Sequence, residues 1–526
     1  MKPVFRWAAI LAAWITAATL CAQTRERPLP RLVHKDGRYA LFVDDAPYLM
    51  LGAQVRNSSA WPRVLPKVWP AIEYLHANTV EMPVYWEQFE PRPGQFDYSV
   101  MDTLLAQARQ HRVHLVLLWF GLYKNGSQHY TPEWMKRDPD KYAHITDQKG
   151  RPVDSPSPYA KASLDADIHA FTAFMRHLKQ ADPERTVLLV QVENEAGTWQ
   201  IQRDYSPLAQ KLYEAPVPPE VLAAMHVAAG ASAPNWQQAF GAESQVCFHA
   251  WSVATYVGKV AAAGKAVYPL PLYANAALRR AIPPGAPGSY ESGGPTDNVL
   301  AIWKVAAPAL DILAPDIYVN DSAEYLKVLE LYHRDDNALF VPETGREAEI
   351  ARFLFSAIGH GAIGFSPFGM DYVQGSTEEE FTPFAQDYQL LGPISRQIAS
   401  LNFNGKLQAV AEVKGEVSQT LNFGAWKAEV SFGVARNNEP RGNASPTGRA
   451  LVAQLGEDQF LVTGMFSRVD FRPRAAEKQR QFLRVEEGSY LDGEFKMIRI
   501  WNGDETDWGL NFRSEPVILR VSLATF

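Results

Sequence analysis

Two glutamates end apolar runs that read as strands. The first run is Leu188-Leu189-Val190-Gln191-Val192-Glu193-Asn194-Glu195, and the second is Ala338-Leu339-Phe340-Val341-Pro342-Glu343-Thr344-Gly345. An acid at the end of a buried strand is costly unless it is used or paired. Capping a helix or pairing with a cation would account for either acid alone. Two such acids on strands that converge call for a shared task. A carboxyl that is protonated and a carboxylate that is ionised, facing one carbon, can together break an acetal. One releases the leaving oxygen while the other attacks, as glycoside hydrolysis requires. The two groups need opposite protonation states at one pH, so their surroundings must push their pKa values apart.

Convergence requires a scaffold that brings distant strand ends to one face. From about residue 48 to 400, short apolar runs alternate with amphipathic stretches. Eight runs read as strands: 48–54, 79–85, 113–120, 186–193, 267–274, 312–318, 338–342 and 362–366. Most are nearly continuously apolar, as parallel strands covered on both faces should be. Helical patterns lie between them, at 98–112, 164–178, 250–264 and 346–359. In the clearest, Leu164, Ile168, Phe171, Met175 and Leu178 share a face, and Ser163 stands where an N-cap belongs. Eight such units predict an α/β fold, a (β/α)8 TIM barrel. An open doubly wound sheet would want a glycine-rich phosphate turn after an early strand, and Gly52-Ala53-Gln54 is not one. On this count the two glutamates end the fourth and seventh strands, at opposite sides of the barrel mouth. The Pro-, Gly- and Ser-rich stretch 276–298 is a long loop on that same face.

The flanks differ in character. Lys35-Asp36-Gly37 between apolar runs predicts a hairpin in an N-terminal extension, residues 23–47. Residues 401–526 are rich in Val, Phe, Leu and Thr, broken by turn clusters such as Asn437-Asn438-Glu439-Pro440 and Asn502-Gly503-Asp504. They predict a C-terminal all-β sandwich domain after a catalytic barrel at 48–400. Residues 1–22 carry Lys2 and Arg6 ahead of an apolar run from Trp7 to Leu20, then Cys21 and Ala22. That is the pattern of a cleaved secretory leader, and it predicts a secreted or periplasmic protein. A lipoprotein anchored through Cys21 would put bulky Leu20 where a small residue is expected. The run also falls short of the roughly 20 residues a membrane span needs. Only Cys21 and Cys247 are present, so the mature chain has no intramolecular disulfide to form. The net charge of −7 and the lack of a basic run argue against nucleic acid as a partner. No Cys/His cluster calls for a metal, and no cofactor is expected.

Beyond this chemistry there is a resemblance. Gln191-Val192-Glu193-Asn194-Glu195 resembles the acid/base strand of family 35 glycoside hydrolases, the β-galactosidases, within the clan of (β/α)8 retaining glycosidases. Glu90-Pro91-Arg92-Pro93-Gly94-Gln95-Phe96-Asp97 is similar to that family's motif after the second strand, and Pro342-Glu343 to the clan's nucleophile position. The resemblance implies Glu195 as acid/base, Glu343 as nucleophile and Asn194 as a ligand of the sugar 2-hydroxyl. It leaves Glu193 open between a sugar ligand and a structural acid. Tyr318, in Pro315-Asp316-Ile317-Tyr318, fits the tyrosine that orients the nucleophile. The implied activity is exo-acting release of terminal β-galactose from plant oligo- or polysaccharides such as xyloglucan, without metal or organic cofactor. Two stretches depart from the family. Leu118-Trp119-Phe120-Gly121-Leu122-Tyr123 stands in place of an Ala-Glu-Trp stretch. Pro83-Val84-Tyr85-Trp86-Glu87 replaces Tyr-Val-Pro-Trp-Asn. These positions shape the sugar pocket, so a β-glucosidase, β-fucosidase or α-L-arabinopyranosidase stands as the alternative, and a non-catalytic carbohydrate-binding barrel as one of another class. Tyr85, Trp86 and Trp119 are candidates for stacking on a sugar, with core packing as the alternative. Gln54 and Asn57 are candidates for contacts to sugar hydroxyls.

Overall fold

The computed structural model describes residues 27–228, 233–434, 439–491 and 493–526. The predicted leader at 1–22, with Cys21, lies outside the described residues, as do Asn437 and Asn438 of one predicted turn. No helix among the described residues is long and apolar enough to cross a membrane.

The chain enters through the predicted hairpin. Arg31–Lys35 pairs antiparallel with Arg38–Val43, and Ala46–Tyr48 adds a third strand. Asp36 and Gly37 form the two-residue turn, both at positive φ (52° and 72°). That geometry matches the strands' twist and favours Asp-Gly.

Eight parallel strands then close a barrel: β1 (Met50–Gln54), β2 (Thr79–Tyr85), β3 (His114–Lys124), β4 (Val187–Asn194), β5 (Leu272–Ala277), β6 (Ile312–Ile317), β7 (Val341–Thr344) and β8 (Gly364–Pro367). Each pairs in parallel with the next, and β8 pairs back to β1. Every residue of β2, β4 and β6 is buried, which is why these segments read as nearly continuous apolar runs. Helices cover the outside, the longest being Lys161–Ala181 and Ser244–Val267.

Several local readings are corrected; the seventh strand, for one, is Val341–Thr344, with Glu343 inside it. The fifth strand begins at Leu272, because Val267 closes the helix Ser244–Val267. Ser163 is not an N-cap: the helix starts at Lys161 behind Ala160, and Ser163 is buried in its first turn. The helix expected over 346–359 is regular only from Phe353 to Gly359.

From Leu407 the chain builds two antiparallel sheets, one of six strands and one of four. Their facing sides share a core in which Trp426, Val430 and Phe432 of the smaller sheet meet Val452, Phe460 and Val462 of the larger. This is a sandwich. The larger sheet is buried on its other face too. Leu451, Ala453, Leu461 and Ile518 join the core of the barrel. An ion pair crosses the same junction: Arg449 Nη2 lies 2.7 Å from Asp387 Oδ1, both side chains fully enclosed. Removing one partner leaves the other charge buried and alone. Arg449→Ala should therefore cost about 3–5 kcal/mol, read as a lower urea midpoint for a transition that includes both domains.

Candidate active site

β4 and β7 deliver the two glutamates to one place. Oxygens of Glu195, Asp316 and Glu343 lie within 4.8 Å of one another at the C-terminal ends of β4, β6 and β7. In a strand successive side chains point to opposite faces, and on β1, β6 and β7 the residues Gln54, Asp316 and Glu343 all point into the barrel mouth, where they meet. Glu195 reaches it differently. Glu193 and Glu195 both have positive φ (63° and 43°) on either side of Asn194. This conformation is uncommon for non-glycine residues, and it turns the chain sharply at the strand's end. Neighbouring elements hold the turn. Asn275 Oδ1 accepts the Glu195 N–H at 3.0 Å. Asn125 and Gly126 donate their N–H groups to the carbonyls of Asn194 and Glu195 at 3.2 and 3.0 Å.

The two carboxyls sit in unlike surroundings. Glu343 is 7% exposed. Tyr318 donates its hydroxyl to Oε1 at 2.5 Å, and Gln54 Nε2 donates to Oε2 at 2.7 Å. Both oxygens are thus fixed as acceptors. Burial and the nearby Glu343 charge hold the Tyr318 hydroxyl well above its usual pKa, so it stays a donor. Glu195 has no such pair of donors. Burial first, then repulsion from Glu343, push its carboxyl up to about 7, against opposing pulls from Lys124 and Asp316. One group is built to accept, the other to carry a proton near neutrality.

Asn194 is 1% exposed. Its Oδ1 accepts from Lys124 Nζ at 2.8 Å, while its Nδ2 is buried with no partner. An unpaired donor beside a reactive pair is a place for a ligand hydroxyl. Asn57 is half-buried, and its Oδ1 is likewise unpartnered.

Other candidates lie elsewhere. Glu193 points away from Glu195, into the layer between barrel and helices. Its Oε2 accepts the Tyr123 N–H at 2.6 Å, and burial together with Asp167 raises it well above the carboxylate range. Of its two readings, this placement is the structural one. Trp119 is fully buried in that layer too, with Nε1 donating to Asp167 at 3.0 Å and its ring against Phe171 and Phe174. Trp86 is fully buried beside it and donates to Glu90 at 2.8 Å. Neither presents a face to a ligand. Tyr85 has the inward parity, but it too has no exposed surface. Its ring is stacked between Trp61 and Tyr130, each 5.3 Å away. The exposed aromatic of that stack is Trp61.

Four site residues went unread in the sequence: Asp316, Lys124, Asn275 and Glu291. Asp316 carried the same signal as the two glutamates, an acid ending an apolar run. Glu291 sits in the long loop after β5, 1% exposed, against Gly126 and Gly197, where an added Cβ would meet it. Burial and the Glu195 charge raise it well above the usual range. The oxygens of Glu195, Asp316 and Glu343 are spaced so that a cation could bridge them. Hydrogen bonds from Tyr318 and Gln54 orient the Glu343 carboxylate for whichever electrophile enters the mouth.

Residues 384–513 match a family described as a domain of unknown function, DUF5597. That stretch runs from the last turns of the helix Glu378–Leu391 through most of the sandwich. No curated protein sequence matches the chain. Among solved structures it is similar to a cold-adapted β-galactosidase from Rahnella sp. R3, with 12% identity, a TM-score of 0.49, and 68% of this chain against 61% of that one. For a β-galactosidase from Bacillus circulans the values are 13%, 0.48, 66% and 57%. For the catalytic domain of a β-amylase from Paenibacillus polymyxa they are 12%, 0.47, 64% and 96%. The chain spans less than two thirds of the length of both β-galactosidases. Likeness at this level leaves open which reaction the chain runs; that is decided by its side chains.

Proposed function

We propose that this protein is a retaining exo-β-glycosidase of the β-galactosidase type, exported by its leader. It would release terminal β-D-galactose from plant oligo- or polysaccharides such as xyloglucan. The observation that carries the reading is the approach of oxygens of Glu195 and Glu343 to within 4.8 Å, with two hydrogen-bond donors on Glu343 and a raised carboxyl at Glu195. Inverting enzymes keep their carboxyls about 6.5–9.5 Å apart to admit a water, and retaining ones about 5–5.5 Å. The short separation favours attack by the enzyme itself. Glu343, with both oxygens aligned by Tyr318 and Gln54, attacks the anomeric carbon as Glu195 gives its proton to the departing oxygen. Glu195, now ionised, then takes a proton from the water that frees the sugar. Asn194 Nδ2 meets the 2-hydroxyl, a contact that strengthens as charge develops.

A second reading keeps this chemistry and changes the sugar. It is favoured by the burial of Trp86 and Trp119, which leaves the sugar pocket to other side chains. A panel of 4-nitrophenyl β-galactoside, β-glucoside, β-fucoside and α-L-arabinopyranoside separates the two. Fastest release from the galactoside is expected, and none from it would refute the choice of sugar. Early-time NMR of the released sugar should show the β-anomer first; an α-anomer would refute retention.

The aligning hydroxyl has its own consequence. Tyr318→Phe removes a hydrogen bond to a charged group, worth about 1.5–3 kcal/mol, so kcat/KM should fall roughly 10- to 150-fold. Loss of less than about twofold would show that Gln54 alone suffices to align Glu343.

A further inference from the structure

The double displacement uses two carboxyls, and this site holds three. An oxygen of Asp316 lies within 4.8 Å of both Glu195 and Glu343. A third negative charge there would repel the nucleophile and compete for the proton. Asp316 is firmly held all the same. It is 3% exposed, and Asn275 Nδ2 donates to its Oδ2 at 2.6 Å. The other end of that amide accepts the Glu195 N–H. A single side chain on β5 thus ties the backbone under Glu195 to the carboxyl of Asp316. The remaining oxygen of Asp316, Oδ1, is buried with no close hydrogen-bond partner.

We propose that Asp316 is a positioning residue, kept neutral and anchored by Asn275, whose carboxyl proton is offered to Glu195 whenever Glu195 is ionised. This rests on the glycosidase reading and deepens it, because Glu195 must be an acid in the first step and a base in the second. A neutral donor supports the base form without adding charge.

The surroundings agree. Burial and the charges of Glu343 and Glu195 hold Asp316 well above the carboxylate range. Asp316 pulls Glu195 downward, against burial. Lys124, from the end of β3, pulls both acids downward, and Glu291, from the loop after β5, is raised by burial and by the Glu195 charge. Tyr273 on β5, Tyr318 after β6 and Tyr332 on the covering helix Ser322–Tyr332 also face Asp316. All three are raised above the usual tyrosine range and stay neutral.

The test uses the full chain with an aryl galactoside whose leaving group, dinitrophenolate, departs without acid, so that kcat reports the second step. Asp316→Ala should lower kcat about 10- to 100-fold, with KM falling alongside as the covalent intermediate accumulates. On a 4-nitrophenyl glycoside the alkaline limb of kcat/KM should move to higher pH, since Glu195 loses the donor that favoured its ionised form. Asp316→Asn retains an N–H for Glu195 and an oxygen for Asn275, so it should stay within about threefold of wild type. An Asn variant as impaired as the Ala variant, or an Ala variant with an unmoved alkaline limb, would overturn the proposal. If the Ala variant fails to fold, the Asn variant decides alone, and a hundredfold loss there overturns it. A wild type inert on every aryl glycoside would instead overturn the glycosidase reading and this inference with it.

Discussion

Glu343→Ala should lower kcat on the order of 10⁴- to 10⁶-fold while the protein keeps its fold. The side chain is the acceptor of two hydrogen bonds, from Tyr318 and Gln54, and those donors lose their target together with the attacking oxygen. Both sit at the rim of a barrel whose core lies below, so the loss falls on the reaction far more than on stability. Truncation also opens a small space beneath the anomeric carbon, lined by the same donors. Azide fits such a space and is a nucleophile at neutral pH. It should attack from the face Glu343 occupied, restore turnover of an activated aryl galactoside, and yield the α-glycosyl azide, of inverted configuration. Product configuration by NMR checks this directly. Undiminished activity in Glu343→Ala, or a rescued product of β configuration, would remove Glu343 from the role of nucleophile.

How far such a site can be read from sequence depends on where the information resides. β2 was legible to the residue because all seven of its positions are buried and its neighbours are not strand-like. β5 was misplaced by several residues. Its apolar signal merged with the last turn of a buried helix, and periodicity does not separate the two over so short a run. Polar Asn275 then fell outside the expected strand, although it is the residue that links Glu195 to Asp316. Of the two readings of Tyr85 and Trp86, sugar platform or core packing, their burial matches the second. Tyr85 ends β2 with its ring turned inward, while Trp86 opens the short helix Trp86–Phe89 and packs against Trp119 in the helical layer. Trp119 went the same way as Trp86. Lys124 was missed because β3 runs past Phe120 through an irregular stretch where its pairing with β4 shifts register. Glu291 had no local signal at all, since a long loop has no period and only the closed structure sets it against Gly126 and Gly197. Glu195, Glu343, Tyr318 and Gln54 were visible because each ends or closely follows an apolar run, the one place where a polar side chain declares itself.

Removing the proton donor should have an effect that depends on the leaving group. On the proposed mechanism Glu195 must be protonated for the first step, and burial beside Glu343 raises its carboxyl to about 7. A folded-state value raised in this way means activity is full below that pH and falls as pH rises through it. The alkaline limb of kcat/KM should therefore lie near pH 7. Glu195→Ala has no such group and should show no such limb. On substrates with a sugar or alkyl aglycone, which depart only when protonated, kcat/KM should fall at least about 10²- to 10⁴-fold. On a dinitrophenyl galactoside the first step needs no acid, and kcat/KM should stay within about tenfold of wild type. The second step then lacks its base, so the covalent intermediate should accumulate and both kcat and KM should drop. Azide again restores turnover, but here it attacks the intermediate from the face Glu195 occupied, opposite Glu343, so the product is the β-glycosyl azide. The two variants thus predict azides of opposite configuration from one substrate. Swapped configurations would exchange the two roles, and equal losses on good and poor leaving groups would deny Glu195 the role of acid.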